Sequence, residues 1–305
     1  MLKAIAFIKA ARLRTLPLSF SATITGSALA LFAGIKDITV IVLCLATTLF
    51  LQVLSNFAND YGDFVKGTDN RQRVGPSRTL QSGEITKNEM KTAILLVILL
   101  SLASGTWLVY EGTKGMGKDD FIFFMVLGLG AIAAAVFYTV GKKAYGYHGM
   151  GDVFVFLFFG LVGVTGSFYL QARLFDVWIL LPASSIGFFS AGVLNLNNMR
   201  DHVNDHASGK NTLVVKMGFE KAKYYHLFLL FAGIIATVIF IMKNYSSPWQ
   251  FIFLAILPLL FKNGMTVMRS SDPKQLDPLL KQLAITTFLF SLLLGCGLYI
   301  STQNL

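Results

Sequence analysis

Charge is scarce in this chain: Asp, Glu, Lys and Arg together make up 14% of 305 residues, against roughly a quarter in soluble domains. With 54% hydrophobic residues and a mean hydropathy of +0.63, a soluble globular domain is excluded. Cysteine is nearly absent. Cys44 and Cys296 both fall within apolar runs, where they behave as small hydrophobes, so no disulfide framework is implied and nothing is said about redox compartment. The chain has seven prolines, and neither they nor the glycines interrupt the apolar runs in the matched pairs that mark the broken helices of secondary transporters.

What is present is a series of apolar runs of membrane-spanning length, near 17–34, 38–58, 92–110, 121–140, 153–171, 177–196, 224–242, 249–268 and 283–301. The expected fold is an all-α polytopic membrane protein with nine transmembrane helices. The net charge of +10 does not point to nucleic acid, because the basic residues are segregated. If the N-terminus is inside, only Lys36, Lys114, Lys118, Arg173 and Lys243 of the 26 Lys and Arg lie outside. That bias obeys the positive-inside rule and predicts the N-terminus inside and the C-terminus outside. A basic start followed by an apolar run has the outline of a signal peptide, but Arg12 and Arg14 lead into a full-length span that reads as a retained helix. Residues 1–14 set Leu2, Ile5, Ile8 and Leu13 against Lys3, Lys9, Arg12 and Arg14, the pattern of an amphipathic helix on a membrane surface.

Two polar stretches close apolar runs: Asn56-Phe-Ala-Asn59-Asp60-Tyr-Gly-Asp63 and Asn197-Asn198-Met-Arg200-Asp201-His-Val-Asn-Asp205. Acids so near a bilayer are costly and by default functional. If the helices continue through them, Asn56, Asp60 and Asp63 lie within about 60° of one another, and Asn197, Asp201 and Asp205 within about 80°. Each motif then forms one polar stripe. Carboxylates mixed with neutral amide oxygens suit Mg²⁺ that keeps waters and binds a diphosphate. Their recurrence suggests a two-fold internal repeat within a single domain, about 17–140 and 153–268, with 283–301 appended.

The long inside loops that follow the acids are rich in cations and are expected to cap a central cavity. Arg71, Arg73 and Arg78 follow the first motif, Lys142 and Lys143 follow the fourth run, and Arg200 and Lys210 belong to the second motif. Singly each reads as a topology determinant; together, beside the acids, they read as phosphate donors. Phe57, Tyr61, Tyr138 and Tyr145 stand near the motifs as ring faces for a carbocation, with Tyr138 the first choice.

In these segments the chain resembles the UbiA-type superfamily of intramembrane prenyltransferases, and within it the 1,4-dihydroxy-2-naphthoate polyprenyltransferases of menaquinone biosynthesis. The matching stretches are Asn56 to Asp69, Gly75 to Gly83, Tyr138 to Gly151 and Asn197 to Gly218, with Arg14-Thr-Leu-Pro17 near the start. The resemblance implies Mg²⁺-dependent transfer of a polyprenyl group from its diphosphate to the naphthoate, with loss of CO₂ and diphosphate, giving a demethylmenaquinone at the cytoplasmic face of a prokaryotic inner membrane. It assigns Asp60, Asp63, Asp201 and Asp205 to the metal and Asn56, Asn197, Arg78, Lys142 and Arg200 to the diphosphate, with Asp60, Asp201, Lys142 and Tyr138 catalytic. The wider superfamily's Asn-x3-Asp-x3-Asp spacing is broken here by Phe64, which leaves Asp63 and Asp69 as alternatives for the third acid.

Other readings are a different acceptor such as 4-hydroxybenzoate or homogentisate, a secondary transporter, and an intramembrane aspartyl protease suggested by Gly149-Met-Gly151-Asp152. The transporter reading fits poorly with acids at helix ends instead of the bilayer midplane. The protease reading needs a second Asp inside a neighbouring span, and the third and fourth runs have none in their interiors.

Overall fold

A computed structural model describes residues 2–70 and 74–303. Its helices are α1 (Leu2–Ala11), α2 (Leu16–Phe32), α3 (Ile38–Val65), α4 (Lys87–Gly112), α5 (Lys118–Phe137), α6 (Gly151–Val155), α7 (Gly163–Ala172), α8 (Leu180–Ala207), α9 (Leu213–Met217), α10 (Phe219–Lys243), α11 (Leu257–Arg269) and α12 (Leu276–Gln303). A π-helical segment, Phe156–Val162, joins α6 to α7, and the 3₁₀ segment Pro248–Ile256 leads into α11. Among the described residues there is no strand, and nine helical units are long and apolar enough to cross a membrane. The all-helical membrane fold expected from the hydrophobic runs is the one observed.

Helix starts follow local chemistry. Asp37 caps α3 by accepting from the Val40 amide at 3.0 Å, and Thr86 with Glu89 forms a reciprocal capping box on α4. At the other ends, α3 and α8 continue well past their apolar stretches, to Val65 and Ala207. Both polar motifs therefore ride on helix, and the spacings i, i+4, i+7 of Asn56, Asp60 and Asp63 and i, i+4, i+8 of Asn197, Asp201 and Asp205 give the stripes anticipated from the sequence.

The core centres on α8, which packs along α10 and α12 and against the π segment; Ile186, Phe189, Leu196 and Met199 on it are fully buried. A Cβ on Gly160 would lie 2.6 Å from the Cα of Gly187, so these two glycines let the π segment and α8 approach backbone to backbone. A second cluster joins α1, α3 and α4 through Ala6, Ala10, Leu54, Phe57 and Met90. By contrast α5 buries only Phe124 and exposes Ile122, Phe123, Val126 and Leu129, the pattern of a helix facing lipid.

The first helix packs on the bundle through its small residues. Its small residues Ala6 and Ala10 are buried, while Ile5 and Ile8 point outward, as does Leu13 just beyond it. Lys3 and Lys9 pair with Glu89 and Glu84. It ends at Arg12, which adopts the left-handed conformation at φ 49°, and that turn sends the Arg12 guanidinium back under α1 toward α3.

Candidate active site

The two acid motifs meet under the loops at one end of the bundle. Asp60, Asp63 and Asp69 from the α3 end, and Asp201 and Asp205 from α8, are all buried. Arg12 donates to Asp60 through Nη2, and Arg78 Nη1 lies 3.5 Å from the same carboxylate. Arg78 also approaches Asp69, with Nε 3.9 Å away. Burial lowers the Arg78 pKa and Asp69 and Asp63 oppose that fall.

Asp63 is held differently. Tyr147 Oη donates to its Oδ1 at 2.7 Å, and Lys210 Nζ stands 3.4 Å from both oxygens. Because the Tyr147 proton goes to the carboxylate, Thr68 donates to Tyr147 Oη, at 2.6 Å. Burial alone would lower the Lys210 pKa, but Asp63 and Asp205 outweigh it and keep the ammonium above its ordinary value. Lys66 completes this corner with its ammonium 3.8 Å from the centre of the Tyr147 ring.

On α8, Arg200 takes Asp201 in a two-pronged grip, Nε to Oδ1 at 3.0 Å and Nη2 to Oδ2 at 2.6 Å. Its Nη2 also donates to Asn197 Oδ1 at 2.9 Å, and Nη1 to Asp277 at 2.5 Å. Asn204 Nδ2 donates to the Thr68 carbonyl at 2.8 Å, tying α8 to the loop that leaves α3. Asn56 is committed to the α1–α2 junction: its Nδ2 donates to the Ala11 carbonyl at 2.8 Å and to Thr15 Oγ1 at 3.2 Å.

Beneath the charged cluster lies a cavity of about 300 Å³ whose lining includes Gln52, Asn56, Asn59, Tyr138, Tyr145 and Phe154. Tyr145 stacks on Phe154 with centroids 3.9 Å apart and meets Tyr138 edge to face at 5.3 Å. Burial raises the Tyr138 hydroxyl above its usual range, with Asp152, Asp63 and Asp205 adding to the effect. Past Thr48, Leu51, Ala131, Val162 and Gly163, which line both spaces, a second apolar cavity of about 150 Å³ opens between α3, α4, α5 and α7. The charged cluster thus lies next along α3 to Asn56 and Asn59, which line an aromatic chamber that continues into an apolar extension.

The structure thus brings Asp60, Asp63, Asp201, Asp205, Arg78 and Tyr138 to one region, with Asp69 beside them. Arg200 lies there too, engaged by carboxylates. Lys142 stands exposed in the loop after α5, with no ion pair to the acids among the described residues; Arg71 and Arg73 lie outside the described residues. Of the other aromatics, Phe57 packs on Phe7 and Tyr61 lies under Lys91, so both serve the α1–α4 side instead of the chamber. Sequence reasoning missed Arg12 and Tyr147 as partners of the acids. Tyr147 lies inside the Tyr138 to Gly151 stretch, but its pairing with Asp63 crosses 84 positions.

Among the described residues no three Asp, Glu, His or Cys groups converge as a metal site; Arg12, Arg78, Lys210 and Arg200 pair with the carboxylates there. The donor set itself suits a hard divalent cation: buried carboxylate oxygens from two facing helices.

The model of the UbiA prenyltransferase family matches residues 19–293. The chain belongs to that family. Among curated UbiA relatives, the 1,4-dihydroxy-2-naphthoate octaprenyltransferase of Haemophilus influenzae is 43% identical over 292 residues, covering 95% of this chain and 94% of that protein. The enzyme of the same name from Escherichia coli is 43% identical over 296 residues, covering 97% and 96%. Solved UbiA structures share the fold. An apo UbiA homologue from Aeropyrum pernix aligns with a TM-score of 0.69 at 14% identity, covering 93% of this chain and 98% of that one. An Archaeoglobus fulgidus homologue bound to GPP and Mg²⁺ aligns with a TM-score of 0.62 at 18% identity, covering 94% and 99%.

Proposed function

We propose that this UbiA protein transfers a polyprenyl group from a polyprenyl diphosphate to 1,4-dihydroxy-2-naphthoate, releasing diphosphate and CO₂. The observation that carries the reading is the meeting of both acid motifs with Arg12, Arg78 and Lys210 at the mouth of an aromatic cavity. The acceptor rests on the 43% identity to relatives named for it over nearly the whole chain.

Asp60, Asp63, Asp201 and Asp205, with Asp69 adjacent, would hold Mg²⁺, which when bound supplies Lewis-acid stabilisation of the diphosphate. The chain's own part follows from the geometry. Arg78 and Lys210, now balanced by acids, turn to the diphosphate oxygens as negative charge builds on the leaving group, where fixed charges lower the barrier most. The prenyl C1–O bond breaks and C1 carries an allylic cation. Ring faces of Tyr138 and Tyr145 stabilise it, and the apolar walls keep water away. The naphthoate ring carbon that bears the carboxylate attacks C1. The carboxylate then leaves as CO₂, returning its bonding pair to the ring, and the product is the hydroquinone form of a demethylmenaquinone. The cavity between α3, α4, α5 and α7 takes the start of the isoprenoid tail. The segregation of the basic residues supports a reading with the N-terminus and this site on the cytoplasmic side of a prokaryotic inner membrane.

A competition assay tests the acceptor. Purified protein with Mg²⁺, a polyprenyl diphosphate and equal amounts of 1,4-dihydroxy-2-naphthoate and 4-hydroxybenzoate is expected to yield the decarboxylated prenyl naphthalene by mass spectrometry. Dominant prenylated benzoate would keep the chemistry and change the pathway.

A further inference from the structure

Asp277 sits in the first turn of α12, outside both motifs, yet it is bound to the second. The Arg200 side chain is 2% exposed and that of Asp277 40%, so the ion pair runs from the interior to the rim. Arg200 spends Nε and Nη2 on Asp201 and Nη1 on Asp277. A buried guanidinium held by one carboxylate alone would cancel that carboxylate's charge; held by two, it leaves the pair with a net negative charge.

We propose that Asp277 is a positioning residue for the cation-binding acid Asp201, acting through Arg200. It does two things. It fixes the plane of the guanidinium, and so the orientation of Asp201, and it draws off part of the Arg200 charge so that Asp201 keeps negative charge. α12 thereby becomes part of the active-site wall although it carries neither acid motif. An ion pair with one partner at the exposed rim adds little stability, which gives the contact a reason other than holding the helices together. The proposal rests on the functional reading above, in which Asp201 binds a divalent cation.

The test uses the full chain in detergent and Mn²⁺ as the probe, with free Mn²⁺ read by electron paramagnetic resonance and no substrate present. Asp277→Asn, nearly isosteric, is expected to weaken Mn²⁺ binding about tenfold, the size typical of partners behind a metal ligand, and Asp277→Glu to restore most of it. In the prenyl-transfer assay the Mg²⁺ concentration giving half-maximal turnover should rise more than maximal turnover falls. Unchanged Mn²⁺ affinity in a folded Asp277→Asn protein would overturn the proposal, as would loss of maximal turnover with both cation measures unmoved. Asp277→Ser serves if the Asn variant does not fold, and loss of fold in both would reduce Asp277 to a structural role. A wild-type protein that binds no Mn²⁺ would remove the functional reading and this proposal together, whereas normal wild-type binding that Asp277→Asn leaves intact removes only the proposal.

Discussion

Tyr147 shows how much of this site depends on a single hydroxyl. Its Oη bridges Thr68 and Asp63, joining the loop after α5 to the end of α3. Burial and the Asp63 charge raise its pKa, so it remains a donor across the physiological range. Tyr147→Phe keeps the ring under Lys66 and removes only that bridge. A hydrogen bond to a charged group is worth about 1.5–3 kcal/mol. The variant should therefore show a lowered thermal midpoint and turnover reduced by roughly tenfold, since Asp63 loses its orientation. Turnover and midpoint both equal to wild type would mean that Asp63 does not depend on Tyr147 for its orientation. None of this was legible in advance. The pairs Arg12–Asp60, Tyr147–Asp63 and Lys210–Asp63 span 48, 84 and 147 positions, and local periodicity carries no information about which distant side chains meet.

The helices themselves were readable because apolar length and the 3.6-residue period are local properties. Runs at 38–58 and 177–196 mark α3 and α8 but stop short of their ends at Val65 and Ala207. Hydrophobicity ends where the lipid does, while the helix continues into the cap on polar residues. The helical spacing of Asn56, Asp60 and Asp63, and of Asn197, Asp201 and Asp205, is the pattern that such a continuation turns into a polar stripe. The left-handed turn at Arg12 had no such signal, because nothing in the residue itself asks for positive φ. One close approach at this level is testable. A Cβ on Gly62 would lie 2.6 Å from Thr139 Cβ, and Thr139 Oγ1 in turn donates to the Ala58 carbonyl at 2.9 Å. Gly62→Ala must push the loop after α5 off α3, at a cost of about 1–3 kcal/mol. Because Asp63 is the next residue and Tyr138 precedes Thr139, activity should fall alongside the thermal midpoint. A Gly62→Ala protein as stable and active as wild type would show that this contact does not set the spacing of the mouth.

Across the whole molecule, the arrangement puts opposing demands on separate regions. Cations and acids gather at one end under the capping loops, and the space below them becomes steadily more apolar as it passes between α3, α4, α5 and α7. A charged diphosphate and a hydrocarbon tail are thus bound by different parts of one continuous path, and a reactive carbon would sit at the aromatic junction between them. The order of the motifs along the chain foreshadowed two half-sites; that they close into one depended on α3 and α8 facing each other, which only the packing of the bundle decides. The central claim is that this is one site and needs both halves. Its most direct measurement is prenyl-transfer turnover as a function of Mg²⁺, with and without EDTA, for wild type beside Asp60→Ala and Asp201→Ala, each first shown to be folded in detergent. EDTA should abolish turnover, and each substitution should lower it by about 100-fold or more. Turnover near wild type in either folded variant, or undiminished activity in EDTA, would contradict the central claim.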